Sequence, residues 1–482
     1  LAPRAYGVVQ VGSTCPGDIG YPLRPPLRQT ARPEVNVLPR PDFEAHRRAL
    51  LARLAPDEAV LLIGAPTRLR NGDAEHRYRP DADVWWLTGW PDPEVAIFLR
   101  PGATPLTMFV QPRDPELEVW TGRRPGPDGA RERFGADQAF AFSELEAELG
   151  RLLQGVSTLH YAFAVQPEVD ALLMRAVRKA AKAARRNGLS VPETFHAPSH
   201  LVHELRLHKL PDEIEIMRAA GRITAEAHLK AMQLGAPGTP EHKLDALLER
   251  QFRHEGGTGP GYTSIVAAGD NACILHYVTN DDVIGDGELV LVDAGGEVAY
   301  YTADLTRTWP ANGRFSPAQR AVYEAVLRAQ LAAIALCRPG TTFDEVHLAA
   351  VRELTAAMIA LGLLQGELDT LIEQETYKKY YMHGTGHWLG LDVHDVGLYG
   401  RNGQSRILAP GMVLTVEPGL YIQPDDTAAP EHLRGIGVRI EDDVLITADG
   451  HEILTAGAPK DPDELERVCT RVEAGAELTA ST

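Results

Sequence analysis

Five side chains able to bind metal are spread over the second half of the sequence, each at or inside an apolar run. Asp293 ends the run ELVLVD, and Asp304 follows in YYTADLTRT, a stretch rich in aromatic and β-branched residues. A reversal centred on Val298 and Ala299 would set these two carboxylates opposite each other. Close carboxylates repel unless a cation or a proton lies between them. The structural alternative is that Asp293 caps a strand end and Asp304 pairs with Arg307. A third segment, MHGTGHWLGLDVHD (residues 382–395), holds His383, His387 and His394. The first two have the four-residue spacing of a helical zinc pair, but Gly384 and Gly386 oppose a helix, so the segment reads as a loop or bulged strand offering at least one imidazole ligand. Glu417 follows MVLTV, and Glu441 follows GVRI. A two-residue period puts Arg439 and Glu441 on one face, so a buried pair between them is the structural alternative there. Four carboxylates and one imidazole are more charge than apolar strands bury without metal. A carboxylate-rich set with one nitrogen and no sulfur suits Mn²⁺ or Co²⁺, with Zn²⁺ as the third option, and two ions are needed to share it.

The elements around these residues follow from composition and periodicity. With 482 residues the chain exceeds what a single core usually supports, so two domains are expected. Hydrophobic residues at 44% and charged residues at 24% fit a globular protein. No apolar run approaches the length of a membrane span. A net charge of −18 argues against phosphate-backbone binding, so neither nucleic acid nor membrane is an expected partner. Cys15, Cys273, Cys337 and Cys469 show no metal-knuckle spacing and read as reduced packing residues. Together with the missing apolar leader, this gives a cytoplasmic expectation.

Residues 1–36 form a Pro-rich arm. After it, residues 42–54 have helical spacing, 59–63, 84–87, 95–99 and 107–110 read as strands, and 143–153 as a helix, which makes an α/β domain over 37–195. A long helical pattern over 203–234, split at Pro211, opens the second domain (196–460). Helices at 241–255, 316–337 and 343–363 then alternate with β-rich runs at 287–309 and 411–447. The fold class is α+β, with helices backing an antiparallel sheet. Residues 461–482 are expected to be a polar, fraying tail.

The contexts VDAG, ADLTRT, HGTGHWLG, TVEPGLY and GVRIEDD, in that order, resemble the M24 metallopeptidases of pita-bread fold over about residues 198–459. HRYRPDADVWWLTGW (76–90) is similar to the creatinase-like N-terminal domain of the family's proline-specific members. HWLGLDVHDVG and the ILHY around His276 resemble its Xaa-Pro aminopeptidase branch. The resemblance implies a dinuclear aminopeptidase that removes the residue before a proline in second position, by attack of a metal-bridging hydroxide on the scissile carbonyl. It implies Asp293 on the first ion, Asp304 and Glu441 bridging two ions (Mn²⁺ first, Co²⁺ or Zn²⁺ otherwise), and His387 with Glu417 on the second. Glu417 is then also the proton shuttle, His276 and His394 contact the peptide, and His383, His394 and Trp388 line the proline pocket. Arg439 is expected to orient Glu441.

The nearest rival is a prolidase, which must clamp a dipeptide's carboxylate. The stretch RNGQSR (401–406) has no arginine clearly placed for this. A metal-free pita-bread binding module is a more distant reading. Similar enzymes assemble as dimers or tetramers, and Trp85, Trp86 and Trp90, if exposed, would mark such an interface.

Overall fold

The computed structural model describes residues 40–470. The Pro-rich arm, Cys15 and residues 471–482 lie outside them. The N-terminal part is a six-stranded mixed sheet in the order 138–141, 106–110, 96–99, 58–63, 158–160, 194–196. The strand Glu58–Ile63 pairs antiparallel with Ala96–Leu99 and parallel with Thr158–His160. The helices Leu145–Leu152 and Pro167–Asn187 bury Leu145, Leu149, Leu173 and Ala176 against it.

One expected strand is a helix. Residues 84–87 lie inside Ala82–Thr88, where the Asp81 side chain accepts the Val84 N–H at 3.0 Å and Gly89 ends the helix at φ +68°. A good cap at each end outweighs the β preference of Val-Trp-Trp. This helix also overturns the exposed-tryptophan expectation: Trp85, Trp86 and Trp90 are only 6%, 2% and 1% exposed. Trp85 packs on Phe43, Tyr300 and Tyr301, Trp86 stacks on His46, and Trp90 meets Phe134. Trp85, against Tyr300 and Tyr301, and Trp86, whose indole N–H donates to Glu213 at 3.1 Å, therefore pack at the seam between the N-terminal part and the rest of the chain, while Trp90 stays within the N-terminal part.

Beyond residue 198 the helices Ser199–Arg206, Pro211–Leu234, Glu241–His254, Pro317–Ala335 and Phe343–Ala360 surround short sheets in which every described pairing is antiparallel. Leu289–Asp293 runs between Ile265–Ala268 and Thr306–Pro310. Val413–Val416 pairs with Asp442–Ile446, and Gly419–Tyr421 with Gly437–Arg439. The tail expectation changes as well: Pro462–Cys469 is a helix, started by the Asp461 side chain on the N–H groups of residues 463 and 464 and anchored by fully buried Leu465.

Candidate metal centre and peptide cavity

The reversal between the first two acids turns at Ala299 and Tyr300, both at positive φ, rather than at Val298 and Ala299. Asp293 is consequently opposite Thr306, and Asp304 sits two residues along. The two carboxylates still meet, through a residue the sequence reading missed. The Tyr262 hydroxyl reaches Asp293 Oδ1 at 2.6 Å and also bonds Asp304. Nothing in the local pattern GPGYTS signals this role. Burial and the two acids push the phenol well above its usual pKa, so it stays protonated beside them.

The histidine segment is not helical. It runs beside Val413–Val416, with the Thr415 N–H donating to the His387 carbonyl at 2.9 Å and the Glu417 N–H to the Thr385 carbonyl at 2.7 Å. Gly386 is required for this approach, because a Cβ there would lie 1.9 Å from the Thr415 carbonyl oxygen. The pairing sets His387 next to Glu417. Nδ1 of His387 faces the Trp388 carbonyl at 3.0 Å, which leaves Nε2 at 3.4 Å from Asp304 and 3.6 Å from Glu417. That tautomer is the one a metal ligand needs.

Glu441 reaches the same place from the far strand. Donor atoms of Asp304, His387 and Glu441 all lie within 4.8 Å of one another. Arg439 and Glu441 do share a face, but their connection is indirect. The Arg439 guanidinium donates to Asp293 at 2.6 Å, to the Tyr421 hydroxyl at 3.0 Å and to Thr306 Oγ1 at 3.1 Å, and the Thr306 hydroxyl donates in turn to Glu441 at 2.7 Å. Arg439 thus orients Asp293 directly and Glu441 only through Thr306. Arg307, the alternative partner for Asp304, is turned away to Asp442.

The charges are poorly balanced. Burial, followed by the Asp293 charge, raises the pKa of Asp304, and burial with three neighbouring acids raises Glu441 well above the usual carboxylate range. Glu417 is pushed up to about 7 by burial, with His387 opposing. Burial works against protonated His387, yet its contacts with Asp304 and Glu417 raise it to about 9. Asp293 goes the other way: burial opposes ionisation, but Arg439 and Tyr262 hold it below the usual value. A cluster of acids that disfavour one another's charge, with converging donor atoms, is the environment a hard divalent cation stabilises.

Three members of this cluster, Asp293, His387 and Glu417, line a cavity of about 260 Å³ together with Leu275, His276, His383, His394 and Arg439 among others. His276 and His394 are exposed along it, with His394 edge-on to His387. His383 faces Tyr421 Oη at 2.9 Å, and burial together with the Arg439 charge lowers it to about 4, so its ring is neutral. Trp388 differs from the expectation of a pocket residue. It does not line the cavity but is fully buried behind it, stacked on Tyr399 and packed against Phe343.

An open cavity lined by Asp293, Glu417 and His387 beside short antiparallel strands, with Asp304 and Glu441 converging on His387, fits a metal-dependent hydrolase of the pita-bread class. The chain belongs to metallopeptidase family M24: the family model matches residues 215–448, and the aminopeptidase P N-terminal domain matches 43–161. It is 44% identical to the Xaa-Pro aminopeptidase of Escherichia coli K12 over 90% of this chain and 98% of that one. Its fold is similar to the aminopeptidase PepP of Pseudomonas aeruginosa (TM-score 0.86, 47% identity, covering 89% and 97% of the two chains). It is also similar to a zinc-substituted aminopeptidase P of E. coli in complex with product (TM-score 0.85, 44% identity, covering 89% and 97%).

Proposed function

We propose that this chain is an Xaa-Pro aminopeptidase, removing the N-terminal residue from peptides with proline in second position. The observation that carries the reading is the convergence of Asp304, His387 and Glu441 beside an open cavity that His387 lines together with Asp293 and Glu417, in a chain similar along most of its length to enzymes of that name. Asp293, Asp304, His387, Glu417 and Glu441 would hold two divalent ions, Mn²⁺ before Co²⁺ or Zn²⁺. Bound ions supply a nucleophilic water of lowered pKa and stabilise negative charge at the scissile carbonyl. The chain's own groups do the rest. Glu417, at the cavity wall beside His387, would take a proton from the attacking water and return it to the proline nitrogen. Neutral His383 and exposed His276 and His394 shape the space around the proline ring. A proline peptide has no amide N–H, so shape rather than a hydrogen bond must select it.

Among the described residues the dipeptidase alternative has no free arginine at the cavity to serve as a clamp. Arg406 is engaged by both oxygens of Glu204 at 2.7 and 3.1 Å, Arg401 lies on an exposed hairpin, and neither lines the cavity. Arg439 lines it but is committed to Asp293. Chelation should therefore abolish hydrolysis and Mn²⁺ restore it. Xaa-Pro-Yaa peptides should be cleaved at least as efficiently as Xaa-Pro, Xaa-Ala-Yaa much less, and N-acetylated peptides not at all. Full activity without metal would reject the metal centre, and cleavage of dipeptides alone would make the enzyme a prolidase. A cytoplasmic location is part of this reading, in keeping with the free thiols of Cys273, Cys337 and Cys469; no described helix is long and apolar enough to cross a membrane. A homodimer or homotetramer no longer has the tryptophans behind it. Sedimentation at assay concentration decides it, a stable and fully active monomer rejecting assembly.

A further inference from the structure

A second group of metal-ligand side chains lies in the N-terminal sheet, outside the catalytic cavity. His160 and His196 end adjacent parallel strands and are register partners, while Glu58 stands opposite Thr158 on the neighbouring strand. The two-residue strand period places Glu58 and His160 on one face, and Glu58 Oε2 is 3.7 Å from His160 Nε2. His200, in the first turn of Ser199–Arg206, completes a triangle of imidazoles with ring centres 5.2, 5.8 and 6.1 Å apart. Imidazoles sharing one tetrahedral ion, with metal–nitrogen bonds of about 2 Å, keep their ring centres about 5 Å apart.

Two further observations point to a ligand. His160 is 3% exposed, and neither of its ring nitrogens has a hydrogen-bond partner. Buried polar atoms without partners are uncommon and call for an explanation such as a bound ion. Burial, with His200 and His196 nearby, also lowers the pKa of His160 against the pull of Glu58, keeping it in the neutral form that binds metal. His200 is already oriented in the manner of a ligand: its Nδ1 faces the Ala197 carbonyl at 2.8 Å, leaving Nε2 free. The donor atoms of this group stand farther apart than those of Asp304, His387 and Glu441. His196 and His200 are exposed, so their rings can turn onto an ion over buried His160. The Glu58 carboxylate favours a cation over an anion.

We propose that Glu58, His160, His196 and His200 form a binding site for a divalent transition ion of the Zn²⁺ class, distinct from the catalytic centre. Imidazole-rich ligation suits Zn²⁺, Cu²⁺ or Ni²⁺ rather than the harder ions expected at the catalytic carboxylates. An ion here would clip the edge of the N-terminal sheet to the helix that leads into the catalytic part.

The test is to equilibrate the full chain and its His196→Ala/His200→Ala variant with micromolar Zn²⁺ and count bound metal by native mass spectrometry. Both substituted residues are on the surface, so folding is retained and the peptidase rate should stay within about twofold. The variant should hold one equivalent fewer than the parent. Because this is a difference, it does not depend on how many ions the catalytic centre takes. Equal metal content in the two proteins would overturn the proposal, as would a loss of more than one equivalent.

Discussion

Glu441 and Asp442 are neighbours in the chain, and both are buried to within 1% of completely, yet they live in opposite electrostatic worlds. Strand alternation points them to opposite faces. Asp442 meets Arg307 at 2.8 Å and Lys460 at 2.6 Å, and accepts further bonds from Gln330 and Thr455 at 2.8 Å each. Burial opposes its charge, but the two cations hold it well below the usual carboxylate range. Glu441 has only the Thr306 hydroxyl, and burial with Asp304, Glu417 and Asp293 drives it well above that range. The difference separates an acid that builds the fold from an acid whose charge the described chain leaves uncompensated. The second kind needs something from outside, which the proposed function supplies as a cation.

The comparison can be broken at either residue. The largest effect is expected at the unpaired acid: Glu441→Gln should lower Xaa-Pro hydrolysis about 1000-fold and reduce bound metal, while the metal-free protein unfolds no more easily than the parent. Metal analysis and urea unfolding of the same preparation check this. A variant that keeps its metal and loses stability instead would place Glu441 with Asp442. Conversely, Asp442→Asn strands Arg307 and Lys460 and should cost about 3–5 kcal/mol in unfolding free energy. Because the pKa of Asp442 is depressed on folding, its contribution is present above about pH 4 and lost as the pH falls below that. The variant's deficit should therefore shrink in acid. A deficit that persists unchanged at low pH would show that packing, not charge, is what Asp442 provides.

The smallest effect lies in the N-terminal part and sharpens the rule. Asp81 is raised to about 6 by burial and by neighbouring Asp83, against the Val84 N–H and a distant Arg206 charge. Arg206 is committed to Asp83, Asp392 and Asp395. An acid raised on folding stabilises below its unfolded pKa and loses that advantage as the pH climbs through its folded value. Asp81→Asn keeps the helix cap and should gain about 1–2 kcal/mol above pH 6 but nothing near pH 3.5. Thermal unfolding across that range is the measurement, and an equal gain at both ends would contradict the charge argument.

Most elements are legible in the sequence because their signals are local. Three of the helices after residue 198 start at or just after a proline, at Pro211, Pro240 and Pro317, and of the residues proposed as ligands Asp293, Glu417 and Glu441 end or adjoin short apolar strands. The failures have a common cause. Residues 84–87 look like a strand by composition, and only the capping by Asp81 and Gly89 makes them a helix. Trp388 reads as a pocket residue because it adjoins His387, but side chains on successive residues of an extended segment point opposite ways, and it faces Phe343 and Tyr399 instead.

The sequence by itself determined which residues could bind metal, in what order, and on what kind of segment, since residue type and period are properties of the chain alone. Only the tertiary structure decided which of them share one small volume. That distinction arises because pairing register and long-range packing set distances between residues far apart in the chain. They put Tyr262 between Asp293 and Asp304, Thr306 between Arg439 and Glu441, and Arg307 beside Asp442 rather than Asp304.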